Sequence, residues 1–208
     1  MKARQIRRDR PNLNTAHQFF KDGAYSIDPN GHYFSGEERE AELRKIGDEL
    51  CSIVKQNFPR TQNLEFAILK SHLIIEHALV QYIRSFATTY VDASALRFSF
   101  SQKIEIAYLL GFGAHDPCLL PTVERLNKIR NQVAHTFELD RSALDEIFKI
   151  NSEEYKDLVL KNDRERIKHL RSICAFICGR VAGEMMGSYV ATAQLEQEAW
   201  ALQGRQSE

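Results

Sequence analysis

The sequence predicts an all-α protein, and three observations lead to that prediction. Apolar residues recur at three- and four-residue steps through long stretches, which is the spacing that lines one face of a helix. Serine, proline and glycine residues stand where such helices would begin and end. No segment shows the apolar–polar alternation of a half-buried strand. The 208 residues, 43% of them hydrophobic, are enough for one domain with a sizeable core.

The first two helices follow from this periodicity and from the residues at their ends. Ser35-Gly-Glu-Glu38 has the pattern of a capping box, and apolar residues then follow at helical spacing until Pro59 ends the helix. A second helix is predicted from about Gln62 to Phe86, followed by a loop from Tyr90 to Leu96. The apolar face of the second helix comprises Leu64, Ile68, Ile75, Leu79 and Ile83.

Five more helices complete the predicted bundle. Ser99 or Ser101 caps a short helix with the sequence QKIEIAYLLG, which the glycine-rich segment Gly111–Gly113 ends. Pro117 and Pro121 open the next helix, which continues toward Val133. The remaining helices are predicted at about Ser142–Phe148, Ser152–Leu160 and Asp163–Trp200. Three glycines recur in the last helix at four-residue steps, which predicts close helix packing: Gly179, Gly183 and Gly187.

Composition divides the chain into three parts. Residues 1–34 are polar and contain the turn signal SIDPNG, so we expect a partly disordered appendage. Its basic first ten residues fit either a solvated tail or an arm that contacts RNA or a partner. Residues 35–200 form the predicted helical domain, and 201–208 a C-terminal tail.

Several classes of function are disfavoured by composition. The 28 basic and 28 acidic residues balance, which argues against generic coating of nucleic acid but leaves room for a locally basic cleft. The chain shows no signal peptide and no apolar run of roughly 20 residues, so we expect a cytoplasmic protein with no membrane contact. Cys174 and Cys178, four residues apart in an apolar run, are expected to be core residues.

The segment Arg130-Asn-Gln-Val-Ala-His135 carries the most specific chemistry. A guanidinium can hold a phosphate in a planar fork, and an imidazole can transfer a proton near neutral pH. Spacing alone proves little, because Arg164 and His169 repeat it and Arg10…His17 is only slightly wider. The former pair lies in the highly charged stretch KNDRERIKHLRS, which fits a solvated helix face, and the latter lies in the predicted appendage.

Two segments place the Arg130–His135 pair in a specific context. LRFSFSQKIEIAYLLGF (Leu96–Phe112) precedes ERLNKIRNQVAHTF (Glu124–Phe137), and their order and spacing resemble the HEPN superfamily, most closely its branch containing the mannitol operon repressor. The resemblance covers roughly residues 60 to 140. It implies a HEPN-like helical bundle that pairs into a homodimer, with Arg-x4-6-His motifs meeting at the interface. Many such proteins are metal-independent endoribonucleases serving as toxins or in antiviral defence, whereas others are non-catalytic regulatory or binding modules.

The resemblance and the chemistry together assign roles. Arg130 would neutralise the phosphate, His135 would transfer protons, and Asn131 would bind a phosphoryl oxygen or orient the imidazole. Glu76 would support the site by orienting an imidazole or pairing with Arg130, although a half-buried salt bridge is the plainer interpretation. His72, His77 and Glu76 lack a convincing fourth ligand, so neither a metal nor another cofactor is expected.

Residues five apart on a regular helix project about 140° away from each other. We therefore expect a composite site built by two chains, acting on RNA, with an antitoxin or regulatory protein as a possible partner. Phe137 stands where several toxin members carry a tyrosine that their antitoxins modify, so that mode of control is doubtful. A non-catalytic regulatory module and an unrelated helical scaffold stand as alternatives to the endoribonuclease.

Overall fold

A computed structural model describes residues 36–86, 98–136, 139–150, 157 and 159–205, the last range as backbone only at 193 and from 196 onward. The predicted appendage at 1–34, the loop from Tyr90 to Leu96, Phe137 and most of the predicted helix Ser152–Leu160 lie outside these residues. The division into appendage, domain and tail stays a prediction.

Six helices make up the described chain, and no strand occurs within it. They are α1 Gly36–Asn57, α2 Leu64–Phe86, α3 Phe100–Leu109, α4 Leu119–Thr136, α5 Arg141–Ile150 and α6 Asp163–Arg205. The predicted all-α class and long C-terminal helix are confirmed. None of these helices combines the length and the apolar character needed to cross a bilayer.

Local side-chain chemistry accounts for the starts of α3 and α5. Ser99, one of the two predicted caps, begins α3: its side chain accepts from the backbone of Gln102, whose side chain accepts in return from the backbone of Ser99. Asp140 starts α5, because its carboxylate accepts from the backbone N–H groups of Ser142 and Ala143. The helix α6 continues to Arg205, past its predicted end at Trp200, because most of the residues there favour helix.

The long helix α6 packs most extensively against α1 and α2, and α2 in turn packs against α3 and α4. The shared core includes fully buried side chains from every helix, among them Leu50, Ile75, Leu79, Phe112, Leu126, Phe148 and Ile177. Cys174 and Cys178 are buried in it as predicted, and burial raises the pKa of both thiols to about 12. The helix α2 is thus buried on several sides, which places three of its polar side chains, Ser71, His72 and Gln81, inside the bundle.

The glycine repeat of α6 does not form the close helix packing that its spacing predicted. Gly179, Gly183 and Gly187 are exposed, and a Cβ added at any of them would meet no atom within 4 Å. The expectation that they pack closely against another helix of the described chain is therefore wrong. The buried residues of α6 lie instead on the opposite side of the helix, where the larger Ile173, Ile177 and Val181 fill the core.

Candidate active site

Arg130, Asn131 and His135 all lie on α4, in its last two turns. The apolar residues Leu126, Ile129 and Val133 hold one face of this helix against the core. Arg130 and Asn131 are half-buried at the edge of that face, whereas His135 is exposed. The sequence therefore placed the three polar residues correctly on a helix whose other side is buried.

The guanidinium of Arg130 is held by its neighbour. Its Nη1 donates a hydrogen bond of 2.8 Å to Oδ1 of Asn131. A guanidinium has no acceptor, so this contact fixes the Asn131 amide with its oxygen toward Arg130 and its nitrogen turned away. No carboxylate pairs with Arg130 in the described part of the chain. A half-buried cation without a counter-ion is a receptive position for an anion.

The imidazole of His135 is not brought onto Arg130 within one chain. The helix runs without interruption through both residues and ends at Thr136, so the angular separation of about 140° between them stands. Across the described ranges, no hydrogen bond joins His135 to Arg130 or to Asn131. A single chain thus presents an anion-binding group and a proton-transfer group on one helix without converging them.

Glu76 does not pair with Arg130, which was one of the two supporting roles considered for it. Glu76 instead forms a salt bridge with Lys103 of α3, with side-chain exposures of 27% and 13%, which confirms the plainer interpretation of a half-buried ion pair. The other carboxylate oxygen of Glu76 lies 4.0 Å from Nδ1 of His72. Glu76 therefore belongs to a polar cluster between α2 and α3 and does not contact the Arg130 side chain.

His72 and Asn127 complete that cluster, and no role was predicted for Asn127. The His72 side chain is buried, with its ring stacked on Phe100 at a centroid distance of 4.0 Å. Its Nε2 lies 3.2 Å from Oδ1 of Asn127, and Nδ2 of Asn127 lies 3.5 Å from Oγ of Ser101. Burial lowers the pKa of His72, as does the positive charge of Arg130, while the hydrogen bond to Asn127 opposes them.

A pattern in the sequence would have pointed to Asn127. Asn127, Asn131 and His135 follow one another at four-residue steps, which is the spacing that stacks side chains along one helix face. Asn127 also stands three residues before Arg130, the other spacing at which helical neighbours meet. We call Asn127, Arg130 and Asn131 the donor edge, because each can offer N–H groups toward solvent.

Neither rival arrangement forms a comparable site. Of the second Arg–His pair, Arg164 is exposed, and the His169 ring packs near Phe148 at a centroid distance of 5.5 Å. His77, considered as a metal ligand, instead contacts Glu49 of α1 at 3.1 Å. Within the described ranges, no group of three or more His, Cys, Asp or Glu side chains is placed to hold a metal ion.

Comparisons of the chain with protein-family models, with curated proteins and with solved structures found no match.

Proposed function

We propose that this protein is a metal-independent endoribonuclease of HEPN type that works as a dimer, in a toxin, stress or phage-defence setting. The observation that carries the proposal is the half-buried guanidinium of Arg130, held by Asn131 and without an acidic partner in the described chain. Arginine in this state favours a phosphate over water, since a phosphate can accept two parallel hydrogen bonds from it.

Cleavage of RNA would proceed by transesterification. The 2′-oxygen attacks phosphorus as its proton passes to a base, and the P–O5′ bond breaks as the leaving 5′-oxygen takes up a proton. The exposed His135 is suited to either proton transfer, because an imidazole exchanges protons near neutral pH. Arg130 and the outward amide of Asn131 would stabilise the charge that grows on the non-bridging oxygens.

The divergence of Arg130 and His135 on α4 supports a composite site. With the two side chains about 140° apart on an unbroken helix, Arg130 of one chain and His135 of a second chain could flank the same phosphate. A two-fold axis would then create two identical sites from one pair of surfaces. RNA and a second copy of this chain are the partners of the proposal.

The test is cleavage of a labelled RNA pool in excess EDTA by the purified chain. We expect products with 2′,3′-cyclic phosphate ends, and a loss of about 100-fold or more in rate for Arg130→Ala and for His135→Ala. The double variant Arg164→Ala/His169→Ala is the matched control, because it removes a pair of identical spacing. It should cleave as the wild type does.

Cleavage that is unchanged in folded Arg130→Ala and His135→Ala variants would refute the proposal. RNA binding that depends on Arg130 without any cleavage would favour the alternative of a non-catalytic regulatory or binding module. That alternative uses the same cation for recognition and needs no convergence of Arg130 with His135.

A further inference from the structure

The Asn127 amide extends the donor edge one turn toward the start of α4. It is half-buried and precedes Arg130 by three residues and Asn131 by four, so the three side chains are helical neighbours. Its hydrogen bond to Ser101 is long at 3.5 Å, and it uses only one of the two N–H groups of the amide. The second N–H has no partner among the described residues, which leaves it available to a ligand at Arg130.

The buried His72 sets the orientation of the Asn127 amide. In the neutral imidazole only one nitrogen carries a hydrogen, and two partners compete for it. Oδ1 of Asn127 lies 3.2 Å from Nε2, within hydrogen-bond range, whereas Oε2 of Glu76 lies 4.0 Å from Nδ1, beyond it. The hydrogen therefore belongs on Nε2. Asn127 must then accept with its oxygen, which turns its NH2 group outward.

The surroundings of His72 keep the ring neutral and fixed. Three charged groups face it: Glu76 from α2, Lys103 from α3 and Arg130 from α4. Burial and the two cations disfavour a proton on Nδ1, and that nitrogen is buried without a hydrogen-bond partner. The tilted contact with the Phe100 ring, at a centroid distance of 4.0 Å, restricts rotation of the imidazole. An unsatisfied buried nitrogen costs free energy, so it needs a reason to be there.

We propose that Asn127 is a third phosphate-binding residue of the donor edge and that His72 is the positioning residue that directs its amide nitrogen toward the ligand. The inference rests on the phosphate-binding part of the proposed function and not on cleavage. The ligand class is the phosphodiester backbone of a single-stranded nucleic acid, whose oxygens accept from Arg130, Asn131 and Asn127 together. His72 does not touch the ligand.

The test is binding of a fluorescently labelled oligothymidylate, measured by anisotropy at low salt. This probe has phosphodiesters but no 2′-hydroxyl, so binding is read without cleavage. Asn127→Asp keeps the acceptor for His72 and replaces the outward donor with a carboxylate, and we expect a loss of about tenfold or more in affinity. Gln132→Glu adds the same charge at an exposed position elsewhere on α4 and should cost much less.

The positioning role has its own signature. His72→Leu removes the hydrogen bond to Asn127, and we expect a loss of about threefold or more in affinity. His72→Gln should restore binding to within about twofold of the wild type, because its amide nitrogen can donate to Asn127 as Nε2 does. Equal affinities for the Leu and Gln variants, with similar melting temperatures, would show that His72 is structural only and would overturn its role.

Two further results separate this inference from the proposed function. If Arg130→Ala weakens binding while Asn127→Asp does not, Asn127 does not bind the phosphate and the site at Arg130 stands. If the wild type does not bind the probe, or if Arg130→Ala binds it as the wild type does, the phosphate site itself is wrong and both proposals fall.

Discussion

His72 has a pKa below its usual value, because burial disfavours its charged form and the charge of Arg130 adds to that effect. The unfolded chain therefore binds more protons at this residue than the folded chain does, below the ordinary histidine pKa of about 6.5. The stability that the neutral ring contributes is complete above that pH. This contribution is lost as the pH falls below 6.5 toward the lower pKa of the folded state.

This difference predicts how the free energy of unfolding depends on pH. His72→Gln removes the titrating group and keeps a donor for Asn127, so its stability should fall less than that of the wild type between about pH 7.5 and about pH 5.5. Urea denaturation at both values measures the change. His77→Gln is the control for the loss of a histidine, since His77 is more exposed. Equal pH slopes for the wild type and His72→Gln would contradict the prediction.

Gly113 and Gly183 should respond in opposite directions to substitution by alanine. Gly113 has a φ of +78°, where an added Cβ is strained, and its N–H donates to Glu184 of α6 at 3.2 Å. Gly183 lies within α6 with open space around it. We expect Gly113→Ala to lower the free energy of unfolding by about 1 kcal/mol and Gly183→Ala to raise it by up to about 1 kcal/mol. Thermal melts of the two variants show whether each substitution raises or lowers stability. A change in the same direction for both would contradict the prediction.

At the scale of helices, one arginine ties α5 to the start of α6. Arg166 is buried and donates to both carboxylate oxygens of Asp145, at 2.8 and 2.7 Å, and to the backbone oxygen of Leu160 at 3.2 Å. This bidentate pair satisfies the guanidinium in place of water. It also anchors α5, the helix that follows the His135 end of α4.

Removing that arginine should destabilise the fold. Arg166→Met leaves Asp145 without its partner, and we expect a loss of about 2 kcal/mol or more in the free energy of unfolding, discounted because Asp145 is partly exposed. Arg164→Met, two positions earlier and exposed, should change it by less than about 0.5 kcal/mol. Chemical denaturation of both variants measures these changes. A similar small effect at each position would show that the Arg166–Asp145 ion pair contributes little to stability.

The helices themselves could be predicted well from the sequence, because caps and periodicity are local. Ser99 and Pro59 marked helix ends through chemistry that involves only a few neighbouring residues. The neighbours of each helix could not be predicted in this way. His72 and Asn127 stand 55 residues apart, and nothing in either helix specifies that they meet. For the same reason, the sequence predicted a half-buried salt bridge for Glu76 without identifying Lys103 of α3 as its partner.

At the scale of the whole molecule, the proposed composite site makes a prediction about mixed chains. Arg130→Ala and His135→Ala are each expected to be inactive alone. In a dimer that contains one of each, one site is intact and the other has lost both groups. With random pairing, about half of the dimers are mixed and each keeps one site of two, so about a quarter of wild-type activity should return.

RNA cleavage in the mixture, after unfolding and refolding the two variants together, measures this recovery. A mixture of Arg130→Ala with the double variant Arg130→Ala/His135→Ala is the control, because no combination of those chains supplies an arginine. Recovery in the control as well would point to contamination. No recovery in either mixture would place both groups of a working site in one chain.

The packing of α6 along both α1 and α2 affects the order of events during synthesis. On the ribosome, α2 is complete 77 residues before α6 begins, and until α6 emerges the faces of α1 and α2 that it covers have no partner. The core that α1 and α2 share with α6 can therefore close only after this longest helix has been made. Until then, apolar side chains such as Leu50 and Ile75 lack part of the surface that buries them in the folded chain.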